Sequence, residues 1–244
     1  GITGAIVERQ SFGGWKNSSI GSGAKAGGPN YVGQQGTWTD GDLSVRPNIS
    51  VNPTVARLLR DLESRFGAAL TDDDRTWLWR AAELDAVAWR DEFGVEHDRT
   101  ALIAESNVFR YRPLIEPLNV RVGDNYALRD LLRLVLASRL TGTKIVISAN
   151  ELDAQLTELG ALGARIRQVS DKAFANEIAH NPSCRGRTLG EVDLARDEAA
   201  VESSSVILDQ DVLADGRREL LPFLLEQAVS TTNHRFGYIK GRSH

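Results

Sequence analysis

The chain has 244 residues, 41% of them hydrophobic and 25% charged, with a formal net charge of −4, enough to enclose one sizeable core with an appendage. This acidic balance argues against a phosphate-backbone binder, because nucleic-acid proteins gain affinity by releasing counterions with clustered Lys and Arg. The most apolar run, Leu131 to Leu140, contains Arg133 and Arg139 and is far shorter than the roughly 20 residues that span a bilayer, so no transmembrane segment is expected.

Residues 1–50 are rich in Gly, Ser and Asn but carry Phe12, Trp15 and Tyr31. A solvated linker has no use for aromatics, whereas glycines allow close backbone approach, so this stretch reads as an extended, ordered tail with one or two edge strands. A chain that opens on Gly1 and contains no Met is expected to be a processed or excised segment, or one whose modified methionines are left out of the sequence, rather than a native start. It shows no signal-peptide pattern, and its single cysteine, which forbids an internal disulfide, fits a cytoplasmic protein.

From residue 51 the pattern turns helical. Asn52-Pro53 is a cap followed by Pro at the first helical position, and Val55, Leu58, Leu59, Leu62 and Phe66 recur at helical spacing. Thr71 with Asp72, Asp73 and Asp74 caps a second helix presenting Trp77, Leu78, Ala81, Leu84 and Val87. The two, joined by Gly67 to Leu70, predict an antiparallel pair over 51–95.

Residues 100–244 alternate. Strands are expected at Ala101 to Ala104, Asn107 to Arg112, Lys144 to Ser148, Arg165 to Val169 and Val206 to Asp209. Helices are expected at Tyr126 to Leu140, Glu151 to Leu159, Asp171 to Ala179 and Leu220 to Thr231. Strands separated by single helices predict crossovers and an α/β fold, a Rossmann-like parallel sheet with helices on both faces. Gly160-Ala161-Leu162-Gly163 follows a predicted helix and precedes a strand, which is the reverse of a phosphate loop, so it reads as a helix C-cap.

Chemical signatures are sparse. Cys184 lies beside Arg185 and Arg187, which would lower its pKa, but no defined base accompanies it and no catalytic residue is assigned. His97, His180, His234 and His244 lack metal-ligand spacing, so no metal site is expected.

The run Gly4-Ala5-Ile6-Val7-Glu8-Arg9-Gln10-Ser11-Phe12-Gly13-Gly14-Trp15-Lys16, continuing through Gly27-Gly28-Pro29-Asn30-Tyr31, resembles the last active-site loop and C-terminal tail of aldehyde dehydrogenases that oxidise L-glutamate γ-semialdehyde in proline breakdown. Tyr111-Arg112-Pro113-Leu114, Asn125 to Ser148, Asp215 to Leu221 and Glu226 to Gly237 resemble the noncatalytic C-terminal domain of the longer proline utilization A flavoenzymes. The resemblance implies a tail (1–50) completing an upstream catalytic domain of the same polypeptide and a noncatalytic α/β domain (51–244). It also implies that backbone amides at Gly4 and Ala5 hold the substrate α-carboxylate and that Phe12 packs on its aliphatic chain. Ser11 stands where the family often has Pro.

In aldehyde dehydrogenases the strand matching Lys144 to Ser148 ends in Lys, Pro, a small residue and Glu, and the Lys and Glu bind the adenosine ribose. Here the run is Ser148-Ala149-Asn150-Glu151, so Glu151 keeps a vestigial cofactor position without its lysine partner. No cofactor is expected on this chain; NAD, and FAD where proline dehydrogenase is fused, belong to the parent. The isolated chain is expected to be inactive, because the family's cysteine motif is not in it, while the parent is an NAD-dependent dehydrogenase acting on a small-molecule substrate. A rival reading is an autonomous nucleotide- or metabolite-binding regulatory module, drawn from the Rossmann-like pattern and Glu151.

Overall fold

The computed structural model describes residues 11–13, 24–181, 184–193, 206–235 and 238–239. Helix α1 (Pro53–Phe66) begins as its sequence dictates, with Asn52 Oδ1 accepting from the Thr54 amide at 3.0 Å. Helix α2 (Asp72–Ala88) opens on a full capping box in which Thr71 Oγ1 accepts from the Asp74 amide and Asp74 returns the bond to the Thr71 amide. A π-helical segment, Trp89–Phe93, extends it to Gly94, whose amide donates to Trp89 O at 2.8 Å.

The centre is a five-stranded, all-parallel sheet: β2 (Leu118–Val122), β3 (Ile145–Ala149), β4 (Ile166–Gln168), β5 (Arg185–Leu189) and β6 (Val206–Leu208), in the order β4-β3-β2-β5-β6. Among the described residues three helices connect them: α3 (Leu128–Thr141), α4 (Ala154–Ala161) and α5 (Asp171–Ala179). The chain steps outward from β2 through β3 to β4, then returns past them to β5. Right-handed crossovers therefore put α3 and α4 on one face and α5 on the other. Leu131, Leu132, Leu134 and Leu136 of α3 are fully buried between the sheet and the α1/α2 pair.

Two expected strands need correction. Residues 101–104 are irregular, with Ala101 at a φ of 43° and a bend at Ile103 and Ala104, rather than a strand. The expected strand Asn107 to Arg112 exists as β1 (Glu105–Pro113) but lies outside the parallel sheet. It pairs antiparallel over nine residues with β7 (Leu224–Thr232).

That pairing overturns the expected helix Leu220 to Thr231. Only the short helix α6 (Gly216–Glu219) and a 3-10 turn (Leu221–Phe223) precede the strand. The β-branched residues Val229, Thr231 and Thr232 suit the ladder, and all nine residues of the segment stand in register with β1, a long-range pairing that local helix propensity does not register. Strands β2 and β5 carry no sequence sign of a buried strand, because Arg121 on β2 and Arg185, Arg187 and Thr188 on β5 interrupt the apolar runs that announce one. Short β8 (His234–Arg235) and β9 (Tyr238–Ile239) pair antiparallel after β7.

The described part of the tail holds one antiparallel bridge, Phe12 with Ala26, and a 3-10 turn Val32–Gln35. Among the described residues no helix is long and apolar enough to cross a membrane.

Candidate functional site

The strand order reverses between β2 and β5, where open α/β sheets place a ligand at the carboxyl ends of the strands. Here the two loops bind each other. The Gly123 amide donates to Leu189 O at 2.8 Å, Asp124 N to Glu191 O at 3.0 Å and Glu191 N to Asp124 O at 2.8 Å. A Cβ on Gly123 would stand 1.9 Å from Glu191 O, and one on Gly190, whose φ is +72°, would stand 2.3 Å from Asp124 O. These glycines bring backbone to backbone, in the place where a phosphate-binding turn brings backbone to ligand.

Beside this closure lies a cleft of about 560 Å³ at the ends of β2 and β3, lined in part by Asp124, Tyr126, Glu151 and Asp153. No Lys or Arg is among its lining residues, so a pyrophosphate there would face carboxylates without a counter-charge. Tyr126 Oη donates to Asp153 Oδ2 at 2.7 Å, and burial together with this carboxylate pushes the phenol well above its usual range. Glu151 is exposed and sits before α4, which begins at Ala154 under the cap of Asp153 rather than at Glu151 as expected.

The turn after β3 is held from inside. Arg121, fully buried on β2, donates to Asn150 Oδ1 at 2.7 Å, to Val169 O at 2.8 Å and to the Asp171 carboxylate, and lies over the Phe174 ring. Ser148, at the resemblance's lysine position, is buried and its Oγ donates to Val120 O at 3.4 Å. Gly160 to Gly163 form a helix end, with the Gly163 amide donating to Gly160 O at 2.9 Å.

The second site is where the tail meets the β1/β7 arm. Glu226 on β7 accepts from the Lys25 amide on Oε2 at 2.7 Å and from Asn30 Nδ2 on Oε1 at 2.6 Å. Asn30, itself fully buried, also donates to Tyr111 Oη at 2.9 Å and accepts from Arg217. Tyr111 Oη passes its proton bond to Glu92 Oε1 at 2.5 Å. Burial pushes the Glu226 carboxyl up, against the opposing Lys25 and Asn30 donors. Farther along, Asp40 accepts from the amides of Ala214 and Asp215, each at 3.0 Å, at the start of α6.

Phe12 is 57% exposed, and its amide donates to Ala26 O at 3.0 Å. Gly4 and Ala5 lie outside the described residues. Cys184 is half-buried; burial, with Glu116, pushes its thiol up, the opposite of what flanking arginines would do to a nucleophile. Those arginines are engaged elsewhere: Arg185 donates to Pro222 O and Leu224 O, each at 2.9 Å, and Arg187 pairs with Glu219 at 3.1 Å. Among the described residues no group of three or more His, Cys, Asp or Glu could hold a metal ion.

Sequence reasoning did not find the Glu226 network. Its members come from four distant segments, and Glu226 sits in the stretch expected to be helical. The polar spacing carries no local sign of a shared pocket; only the period-two pattern of a strand could have turned Glu226 toward the tail.

No family model and no curated protein matches the chain. Among solved structures, proline utilization A from Corynebacterium freiburgense matches with a TM-score of 0.69 and 45% identity, over 98% of this chain and 20% of that protein. The chain thus spans about one fifth of that relative's length.

Proposed function

The chain is related to a segment of proline utilization A, and from that premise we propose that it is the C-terminal portion of a proline-catabolic enzyme, a tail (1–50) that completes a catalytic domain and an α/β domain (51–244) with a structural role. The parent oxidises L-glutamate γ-semialdehyde to L-glutamate, with NAD as hydride acceptor when bound and a cysteine supplied by another part of the polypeptide. This chain's share is recognition. Backbone amides at Gly4 and Ala5 hold the substrate carboxylate, and Phe12 lies along its aliphatic chain. Two charge-assisted hydrogen bonds of about 1.5 to 3 kcal/mol each favour this substrate over a plain aldehyde by two orders of magnitude or more.

The observation that carries this reading is identity of 45% sustained over 98% of the chain, together with a tail that ties itself to the α/β part through buried hydrogen bonds from Lys25 and Asn30 to Glu226. A domain bound in this way to the tail of a catalytic unit covers it, and we assign to it the sealing of the passage along which the intermediate moves between active sites. Deleting residues 51–244 from the parent tests this. Coupled turnover from proline should slow while each half-reaction, assayed alone, changes less. Equal loss in all three assays would leave only a stabilising role.

The rival, a regulatory module that binds a nucleotide, is supported by the strand order and by Glu151 at the end of β3. It is opposed by the hydrogen-bonded closure at the crossover point and by the acidic wall beside it.

A further inference from the structure

Both carboxylate oxygens of Glu226 are spent on the tail. Oε2 takes the Lys25 amide at 2.7 Å and Oε1 takes Asn30 Nδ2 at 2.6 Å. The strand bearing Glu226 is secured separately, by its nine-residue backbone ladder with β1. Burying a carboxylate is costly unless its partners require it. At this position, 3% exposed, the hydrogen-bond partners are in the tail, while Arg185 on β5 adds counter-charge from within the α/β part.

The grip passes directly to Phe12. Lys25, whose amide Glu226 holds, donates from Nζ to Gly13 O at 2.8 Å. Its neighbour Ala26 accepts from the Phe12 amide at 3.0 Å. Residues 12 and 13 are therefore fastened to residues 25 and 26, and residue 25 is fastened to Glu226. The turn that follows admits little else: a Cβ on Gly28 would stand 2.9 Å from Lys25 O and 3.3 Å from Glu226 Oε2. Asn30 closes the arrangement from the far side, bonded to Glu226, Tyr111 and Arg217.

We propose that Glu226 is a positioning residue for substrate recognition: from within the noncatalytic α/β part it fixes the Lys25–Ala26 stem, and through it the backbone at Phe12, so that the substrate-facing aromatic is held in place by a different domain. This rests on the reading of Phe12 as the residue that lies along the substrate chain. A side chain aimed by a fixed stem needs no reorganisation on binding, and loosening that stem raises KM while the chemical step stays unchanged.

The test uses the full-length parent with E226A, E226Q and F12A, assayed with the semialdehyde and with a plain aliphatic aldehyde. The glutamine keeps one carbonyl acceptor for the tail and the alanine keeps none. For the semialdehyde, E226A should raise KM about tenfold or more, the factor that 1.4 kcal/mol represents, with kcat within about twofold, and E226Q should restore most of the loss. KM for the plain aldehyde should move less, and E226Q should keep a melting temperature near that of the parent. Amide hydrogen exchange at Phe12, Ala26 and Gly28 should quicken in E226A and less so in E226Q, a readout that needs no turnover.

An E226A enzyme with unchanged KM and unchanged exchange, while F12A still raises KM, overturns the clamp and leaves the reading of Phe12 standing. A uniform fall of kcat on both aldehydes with a lowered melting temperature also overturns it, in favour of plain stabilisation. If F12A itself leaves the semialdehyde KM untouched while exchange quickens in E226A, the clamp exists and the underlying reading of Phe12 is what fails.

Discussion

Arg133 on α3 and Asp85 on α2 form a two-pronged ion pair inside the protein, with Nη1 to Oδ2 at 2.8 Å and Nη2 to Oδ1 at 2.7 Å, and neither side chain is more than 1% exposed. The remaining guanidinium donor, Nε, reaches Leu213 O at 3.0 Å. One arginine thus joins the helical pair, the main sheet helix and the segment leading to α6. Removing a single partner leaves an uncompensated buried charge. R133M or D85A alone should lower stability by about 3 to 5 kcal/mol, while R133M combined with D85L should recover most of that loss. Urea denaturation of the three variants checks it; additive losses in the double variant would contradict the pairing.

Burial pushes the Asp85 carboxyl up to about 6, with Arg133 opposing and Glu219 and Asp215 adding to the rise. Burial raises Glu219 and Glu226 in the same direction. A group whose folded pKa lies above its unfolded value binds more protons in the native state between the two, so stability falls as pH climbs through that window. For Asp85 the window runs from about 4 to about 6, with a slope of up to about 1.4 kcal/mol per pH unit. Asp74 and Glu177, lowered by Thr71 and Arg167 respectively, act with the opposite sign in more acidic solution and weakly, because they are mostly solvated. Melting temperatures recorded from pH 4 to pH 7 should decline toward neutrality; a steady increase would contradict the buried assignment.

Gly123 is the position where the crossover loops meet, and a methyl group there collides with the backbone of Glu191 at 1.9 Å. Backbone cannot swing aside as a side-chain tip can, so G123A should cost at least about 2 kcal/mol and separate the two loops. Thermal unfolding together with amide exchange at Asp124 and Glu191 reads both effects. A variant as stable as its parent would mean that the closure contributes little.

The closure and the acidic cleft also predict a weak response to nucleotides. Calorimetric titration of this chain with NAD should give no saturable binding below the millimolar range, and E151A should behave identically. Saturation at lower concentration, abolished by E151A, would restore the regulatory-module reading.

Much of the helical part could be read directly from the residues. Asn52-Pro53 and the Thr71/Asp74 pair start α1 and α2 where expected, because a cap is a contract between residues two or three apart. Glu151 follows β3 as expected but stands before the helix rather than inside it, since Asp153, two residues on, is the cap whose carboxylate accepts from the Leu156 amide.

What local sequence determined, then, was helices α1 to α5, the parallel α/β architecture and the kinship with a proline-catabolic enzyme, because caps, periodicities and a specific tail motif operate over short separations. The tertiary structure alone decided that residues 224–232 extend beside β1, that the arginine-bearing segments β2 and β5 run through the sheet, and that Glu226 meets Lys25 and Asn30. Each of these depends on partners up to about two hundred residues away, and the free energy of pairing a buried charge or completing a backbone ladder exists only once those partners are in contact.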